Sequence, residues 1–497
     1  MKAARFLLLP ALASALALAG CAVGPDYRQP DLAAQLPAAP SSSPSTPSAF
    51  TDANGQEWRT AAPADEASRG PWWTRFNDPE LDRIEAEVVA RNQDLRAALA
   101  RVDQARATAR MKGAAFLPEV DANGKAERER LGANTPQLRQ FSFPGVTVPS
   151  ATLNSFTMTL DLSYEVDLWG RVRRSFESAR AQAQASQADA QNVLLSVTTE
   201  AALDYFALRR DDASAKLLRE TLDLRKRGVQ IAATRLQAGR VTALDVAQAK
   251  TEEANAEADL AEVLQSRAQN QNAIAYLSGK PATDFALAEN PALPAPPEVP
   301  VGLPSSLLER RPDVARAERL VMAKNAEIGV AKAAFFPALS LTGQGGYLSY
   351  STNNLFTSPS QIWSIGPSLS LPLFAGGRNA ANLRDAKAAW EEATATYRGA
   401  VLGAVRDVEN ALVARRYLGD RIDAVARAAA QADEALRLTE ARYKSGEVSY
   451  FDVIEAQRTA LGAKRGVAEV SALRLQAAVT LIKALGGGWG EDSVAAR

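Results

Sequence analysis

The chain has 497 residues with 57 basic and 57 acidic side chains, so it lacks the positive balance of a nucleic-acid binder. It contains no histidine and one cysteine, which excludes a His/Cys metal site, imidazole-based catalysis and an internal disulfide. Beyond residue 20 no window supplies the roughly 20 apolar residues of a transmembrane helix, so any entry into a bilayer must be made by strands.

Residues 1–20 read as a signal peptide, with Lys2 and Arg5 ahead of the apolar run FLLLPALASALALA. The run ends in Leu18-Ala19-Gly20-Cys21, which resembles a bacterial lipobox. That resemblance implies cleavage before Cys21 and acylation of it with a palmitate-type lipid, the only covalent group expected. Ala22, where inner-membrane lipoproteins commonly carry Asp, implies the outer membrane. Residues 21–70, typified by PAAPSSSPSTPSAF, read as an extended arm leading from the lipid.

From residue 71 the chain reads as two copies of one pattern. The first, 71–281, opens on Trp72-Trp73 and a turn at Asn77-Asp78-Pro79, then predicts one long helix from Glu80 to Lys112, free of Gly and Pro. AAFLPEV at Ala114 starts a strand and returns as AAFFPAL at Ala333. From Phe156 to Leu168 apolar even positions alternate with Thr157, Thr159, Asp161, Ser163, Glu165 and Asp167, a period of two without a miss. The second copy has Ile365, Pro367, Leu369 and Leu371 alternating with Gly366, Ser368 and Ser370, in the same parity. The first copy is longer between these landmarks, around RLGANTPQLRQFSFPGVTVPSA, which reads as a longer loop. A near-continuous helix follows from Val172 to Ala238, with Gly228 its one interior glycine, and recurs from Asn379 to Ser445. Each copy therefore predicts helix, strand, loop, strand, helix, helix.

Strands of about ten residues suit a tilted membrane crossing. Four of them cannot close, because the smallest membrane barrels need about eight and no open edge faces lipid. Two chains would give eight strands and a side-chain-filled lumen, so three chains and twelve strands are favoured for a conduit. A half-buried strand in an ordinary sandwich is the competing reading. The acidic positions Asp161, Glu165 and Asp167 would line the lumen or keep a wet wall hydrated.

One phrase is written twice: AGRVTALDVAQAK from Ala238 and SGEVSYFDVIEAQ from Ser445. Gly239 and Gly446 sit where a long helix should stop. Asp245 and Asp452 come early in the returning helix, where the dipole favours a carboxylate. Glu455 belongs to the second copy alone, against Gln248 in the first, and lies on the same helical side as Asp452.

Taken together, LAGCAVGPDYRQP, WWTRFNDPELDRI, AAFLP with AAFFP, LFAGGR, SGEVSYFDVIEAQRTAL and LIKALGGGW resemble the TolC-type outer membrane factors, in the lipidated branch serving RND efflux pumps. The resemblance implies an α+β membrane protein, a homotrimer with a 12-stranded transmembrane β-barrel, four strands per chain, above a long periplasmic α-helical barrel. It implies an equatorial linker at 282–307, a second repeat at 308–488 and a tail at 489–497. It implies a periplasmic adaptor, an inner-membrane RND transporter and outer-membrane lipid as partners, and no enzyme activity. The glycine turns fall at the periplasmic tip, where helices shut the tunnel. Tyr443 matches a residue that latches neighbouring helices, with Glu447 and Val448 in place of a basic residue some members use. Phe451 would plug the aperture, and Asp452 with Glu455 would ring it with carboxylates. Against this, Asp452 has a helix-start role, and a solvated helix-face charge is the alternative for Glu455, which the absence of the acid from the first half disfavours.

Three other functions are carried. One is a duct for type I secretion. Another is a non-conducting helical envelope lipoprotein, which the alternating strands disfavour. The third is a cell-wall glycosidase using the Asp452–Glu455 pair, which lacks an aromatic cleft. No phosphate-binding loop of the Gly-x-x-x-x-Gly-Lys-Ser/Thr type occurs.

Overall fold

The computed structural model describes residues 22–30, 49–51, 57–59, 70–133, 135, 149–297 and 311–487. Cys21, the expected signal segment, most of the expected arm, part of the expected linker 282–307 and the expected tail 489–497 lie outside the described residues. In chain order come the strand pair β1 (Ala49–Thr51) and β2 (Glu57–Arg59), then α1 (Pro79–Arg91), α2 (Gln93–Ala114), β3 (Glu119–Leu131) and β4 (Ala151–Val166). They are followed by α3 (Arg171–Gln237), α4 (Ala243–Leu277), α5 (Pro312–Ala333), β5 (Ala338–Ser349), β6 (Gln361–Ser370), α6 (Arg378–Lys444) and α7 (Tyr450–Ala484). The halves match in length: 67 residues for α3 and α6, 35 for α4 and α7, 22 for α2 and α5.

Two compact units divide these elements. The first gathers residues 22–30, 103–184 and 319–395. Its centre is one antiparallel sheet in the order β3-β4-β5-β6, leaving β3 and β6 as edges. The register sorts side chains by chemistry. Val120, Leu162, Gly343 and Ile365 share one face, as do Leu160, Gly345 and Trp363. Asp121, Asp161, Gln344 and Ser364 share the other. On that polar face Asp161 accepts hydrogen bonds from Asn123 Nδ2 at 2.6 Å and Gln344 Nε2 at 2.8 Å. The apolar face is open: Trp363 is 80 % and Ile365 69 % exposed, values no packed core would leave.

The strand expected over Phe156–Leu168 is shifted, starting at Ala151 and ending at Val166. Asp167 ends it by turning its carboxylate onto the start of α3, accepting from the Val172 and Arg173 amides at 3.0 and 2.9 Å. It therefore caps a helix and leaves the polar strand face to Asp161 and Glu165; four orphan amides at a helix start outbid a lumenal position. The added length of the first half is likewise shared: the connection 132–150 exceeds 350–360, and the strands it joins are longer too.

The residues after Cys21 are fastened to this unit. The Val23 amide donates to Trp169 O at 3.0 Å, Asn325 Nδ2 to Pro25 O at 2.9 Å, and Arg174 pairs with Asp26 at 2.6 Å. Gly24, at φ 119°, lies so close to Gly329 that a Cβ on it would stand 2.6 Å from the Gly329 Cα. Two glycines are what let these segments touch.

The second unit comprises the described parts of 31–102, 185–318 and 396–497. Its core packs Phe76, Leu81, Ile84, Tyr205, Phe206, Leu475 and Leu481, all buried. Asp78 organises the entry to α1. Its Oδ1 accepts from the Glu80 and Leu81 amides at 3.1 and 3.3 Å, and its Oδ2 from Tyr205 Oη and Arg209 Nη1, both at 2.9 Å. The helix expected from Glu80 to Lys112 is instead two, α1 and α2, parted at Asn92. The Asn92 amide ends α1 on Val88 O, and its Oδ1 starts α2 by accepting from the Leu95 amide at 2.9 Å. Nδ2 of the same side chain donates to Leu277 O at 2.9 Å. A buried asparagine with three partners overrides a run of good helix formers.

Candidate functional site at the paired hairpin turns

The twice-written phrase makes two helix-to-helix turns in the second unit. At the end of α3, the Gly239 amide donates to Leu236 O and the Arg240 amide to Arg235 O, both at 2.9 Å. At the end of α6, the Gly446 amide donates to Tyr443 O at 3.1 Å and the Glu447 amide to Arg442 O at 2.9 Å. This is the Schellman pattern twice, with Gly239 at φ 68° and Gly446 at φ 81°. Each returning helix starts on a capping box. Thr242 N donates to Asp245 Oδ2 at 2.7 Å while the Asp245 amide donates back to Thr242 Oγ1 at 3.4 Å. Ser449 N donates to Asp452 Oδ2 at 2.8 Å and the Asp452 amide returns to Ser449 Oγ at 3.3 Å. Hydrogen bonds from Thr242 and Ser449 hold both carboxyls below the usual carboxylate range. Asp452 is thus engaged as a cap while remaining exposed.

Glu455 stands 2.9 Å from Arg458 Nη1 and is paired with it. Arg458 also binds Glu252 of α4, through Nε at 3.0 Å. Buried Arg225 of α3 meets the same Glu252 at 3.4 Å and donates to Gln457 Oε1 at 2.9 Å. Glu455, expected beside Asp452 in an acidic ring or as a solvated charge, is one end of a chain of alternating charges that ties the second hairpin to the first. Phe451 is exposed beside it. Glu447, one of two residues expected to disturb the latch, pairs with Arg442 at 3.3 Å and accepts from Ser445 Oγ at 2.9 Å.

Tyr443 accepts a hydrogen bond from Arg235 of α3, whose guanidinium lies 5.3 Å from the ring centroid. Its ring also meets Tyr450 at 5.7 Å. Tyr450 in turn explains Gly228, the lone interior glycine of α3: a Cβ there would stand 2.2 Å from the Tyr450 hydroxyl. Burial pushes the Tyr450 phenol up.

Arg225, Gly228, Arg235, Glu252, Tyr450, Gln457 and Arg458 did not stand out in the sequence as site residues. A signal was present. Shifted by the repeat offset that pairs Asp245 with Asp452, most of these positions hold different chemistry: Ala432 for Arg225, Ala435 for Gly228, Thr459 for Glu252, Ala243 for Tyr450 and Thr251 for Arg458, whereas Arg235 meets Arg442.

Residues 86–280 and 303–487 match the profile of the family described as outer membrane efflux protein. The chain belongs to that family. Among its relatives, the chain is 34% identical over 493 residues to the probable efflux pump outer membrane protein TtgC of Pseudomonas putida, covering 98% of this chain and 96% of that one. It is 35% identical over 444 residues to the pyoverdine export outer membrane protein OpmQ of Pseudomonas aeruginosa, covering 88% and 91%. Among solved structures, the outer-membrane channel OprN superposes with a TM-score of 0.80 at 29% identity, covering 94% of this chain and all of that one. The protein is accordingly an outer-membrane efflux channel of the TolC type, and it works in the outer membrane of a Gram-negative cell.

Proposed function

We propose that three copies join through the β3 and β6 edges into one 12-stranded barrel continuous with a tunnel of periplasmic helices. The assembly is the passive exit duct of a tripartite RND-type system, taking small molecules from an inner-membrane transporter by way of a periplasmic adaptor. One observation carries this reading: a four-stranded sheet with both edges unpaired among the described residues, one face apolar and exposed, the other polar. In water such a sheet invites aggregation; in lipid it is satisfied only by closure with further copies. Energy comes from the inner-membrane partner, and the duct itself has no catalytic role.

In the same reading Cys21 carries the acyl anchor, and the residues that follow it, from Val23 to Asp26, are clipped to the unit that contains the sheet. The hairpin turns form the periplasmic aperture, with Tyr443, Phe451, Asp452 and Glu455 at the mouth. Because Arg458 offsets Glu455, the ring is less acidic than its carboxylates alone suggest, and release of the pairing would open it.

The test is a purified, full-length protein placed in a planar bilayer and run on a gel without boiling. A heat-sensitive trimer that conducts is the expected result; a monomer without current overturns the reading. Growth of a deletion strain against drugs and metal salts then assigns the cargo.

A further inference from the structure

The charges of the sheet are segregated almost completely. Glu119, Asp121, Lys125, Glu127, Glu129, Asp161 and Glu165 all share the polar face, and β5 and β6 carry no charge. On the apolar face only two charged residues occur, Arg128 and Arg130, both exposed. The register sets them opposite Asn154 and Thr152, just past the last apolar pair, Ala126 and Phe156. At about 3.4 Å per residue they stand roughly 7 and 14 Å beyond that pair along the strand.

These arginines mark a particular end of the sheet. The opposite strand ends run into α2, α3, α5 and α6, whereas this end runs into the connections 132–150 and 350–360. Neither connection contains Asp or Glu in its sequence. An aromatic fringe accompanies it, with Tyr347 against Phe356 at 5.5 Å between centroids, as at a membrane–water boundary. Among the described residues Arg130 makes one long hydrogen bond, to Ser150 Oγ at 3.3 Å, and Arg128 makes none. Edge-strand charges that merely block aggregation gain nothing from a single sign. Two cations on the lipid side, one step above the apolar band and with no acid to answer them, match a layer of anionic headgroups.

We propose that Arg128 and Arg130 bind the phosphate groups of the phosphorylated glycolipid in the outer leaflet. This rests on the outer-membrane reading above, with helices on the periplasmic side and the connections outside. Guanidinium groups suit the role because each offers a fork of donors to phosphate oxygens. In a trimer the pair repeats at three places around the barrel, fixing its depth at the outer boundary.

The test uses the full-length trimer in detergent, titrated with bis-phosphorylated lipid A, with enzymatically dephosphorylated lipid A and with phosphatidylglycerol, bound copies being counted by native mass spectrometry. Wild type should prefer the phosphorylated glycolipid over both others. Arg128→Ala/Arg130→Ala should weaken that binding about tenfold or more, Arg128→Gln/Arg130→Gln likewise, and Lys125→Ala on the other face should leave it unchanged. Equal binding of phosphorylated and dephosphorylated forms, an unaffected double variant, or equal retention of phosphatidylglycerol overturns the proposal. Single-channel current from the same samples separates the two ideas: conducting trimers that ignore the phosphates sink this inference alone, whereas silent preparations sink the duct reading.

Discussion

At Gly239 and at Gly446 the chain turns in one way: a Schellman closure, a left-handed glycine, and a capping box three residues on. The side chains that join the two hairpins follow no such symmetry. Arg225, Gly228 and Glu252 come from the first hairpin and Tyr443, Tyr450 and Arg458 from the second, each without a counterpart in the other half. The turns satisfy backbone groups that every helix end leaves open, so both copies must keep them. Pairing two hairpins needs complementary partners, so the copies must diverge. What is shared between the halves is scaffold, and what differs is the fastening.

That division is open to direct attack. The largest effect is expected from Glu252→Ala, which strands Arg225 as a buried cation. About 3–5 kcal/mol of local stability should be lost, read as faster hydrogen exchange at the turns of both hairpins and a several-fold rise in conductance. Gly228→Ala comes next, costing about 1–3 kcal/mol through the clash with Tyr450. Gly419→Ala, in α6 with open space around it, should instead stabilise by about 1 kcal/mol. The opposite signs would confirm that Gly228 serves the fastening and not the helix. Thr242→Ala and Ser449→Ala should each cost about 1 kcal/mol, to a similar extent in either hairpin; strong asymmetry there would break the comparison. Acid should act on both caps alike. Their carboxyl pKa values are depressed in the folded state, so this stability is complete above the ordinary carboxylate range. It is lost as pH falls below that range, through the lower folded values. Hydrogen exchange near Asp245 and Asp452 would follow it. The smallest change belongs to Tyr443→Phe, about 0.5 kcal/mol, because the ring that Arg235 faces is retained.

The strands, the helical hairpins and both glycine turns were legible because each obeys a local rule: period two, long runs of helix formers, a left-handed glycine. Local rules failed where a polar side chain found a partner that the pattern itself does not encode. Asn92 cuts a helix by bonding Leu277 O, 185 residues away. Asp167 leaves the alternation to cap α3, and Glu455 pairs with Arg458, which also holds Glu252. Leu277 and Glu252 lie far outside the window that periodicity reads, whereas Arg458 and the Val172 and Arg173 amides are near in sequence but belong to pairings that an alternation of apolar and polar residues does not weigh. The departures from the repeat were visible in the sequence, and Glu455 against Gln248 was one; the remaining asymmetric positions carry the partners it needed.

Val23, Gly24 and Pro25 close on Trp169, Gly329 and Asn325, the last of these 300 positions downstream. The segment from Val23 to Asp26 therefore has nothing complete to grip until the second half of the chain has been made. Order in time runs backwards here, with residues made early being among the last to settle. Pulse-labelled chains truncated before Ala323 should keep that segment open to protease, whereas chains reaching past Ala333 should hide it.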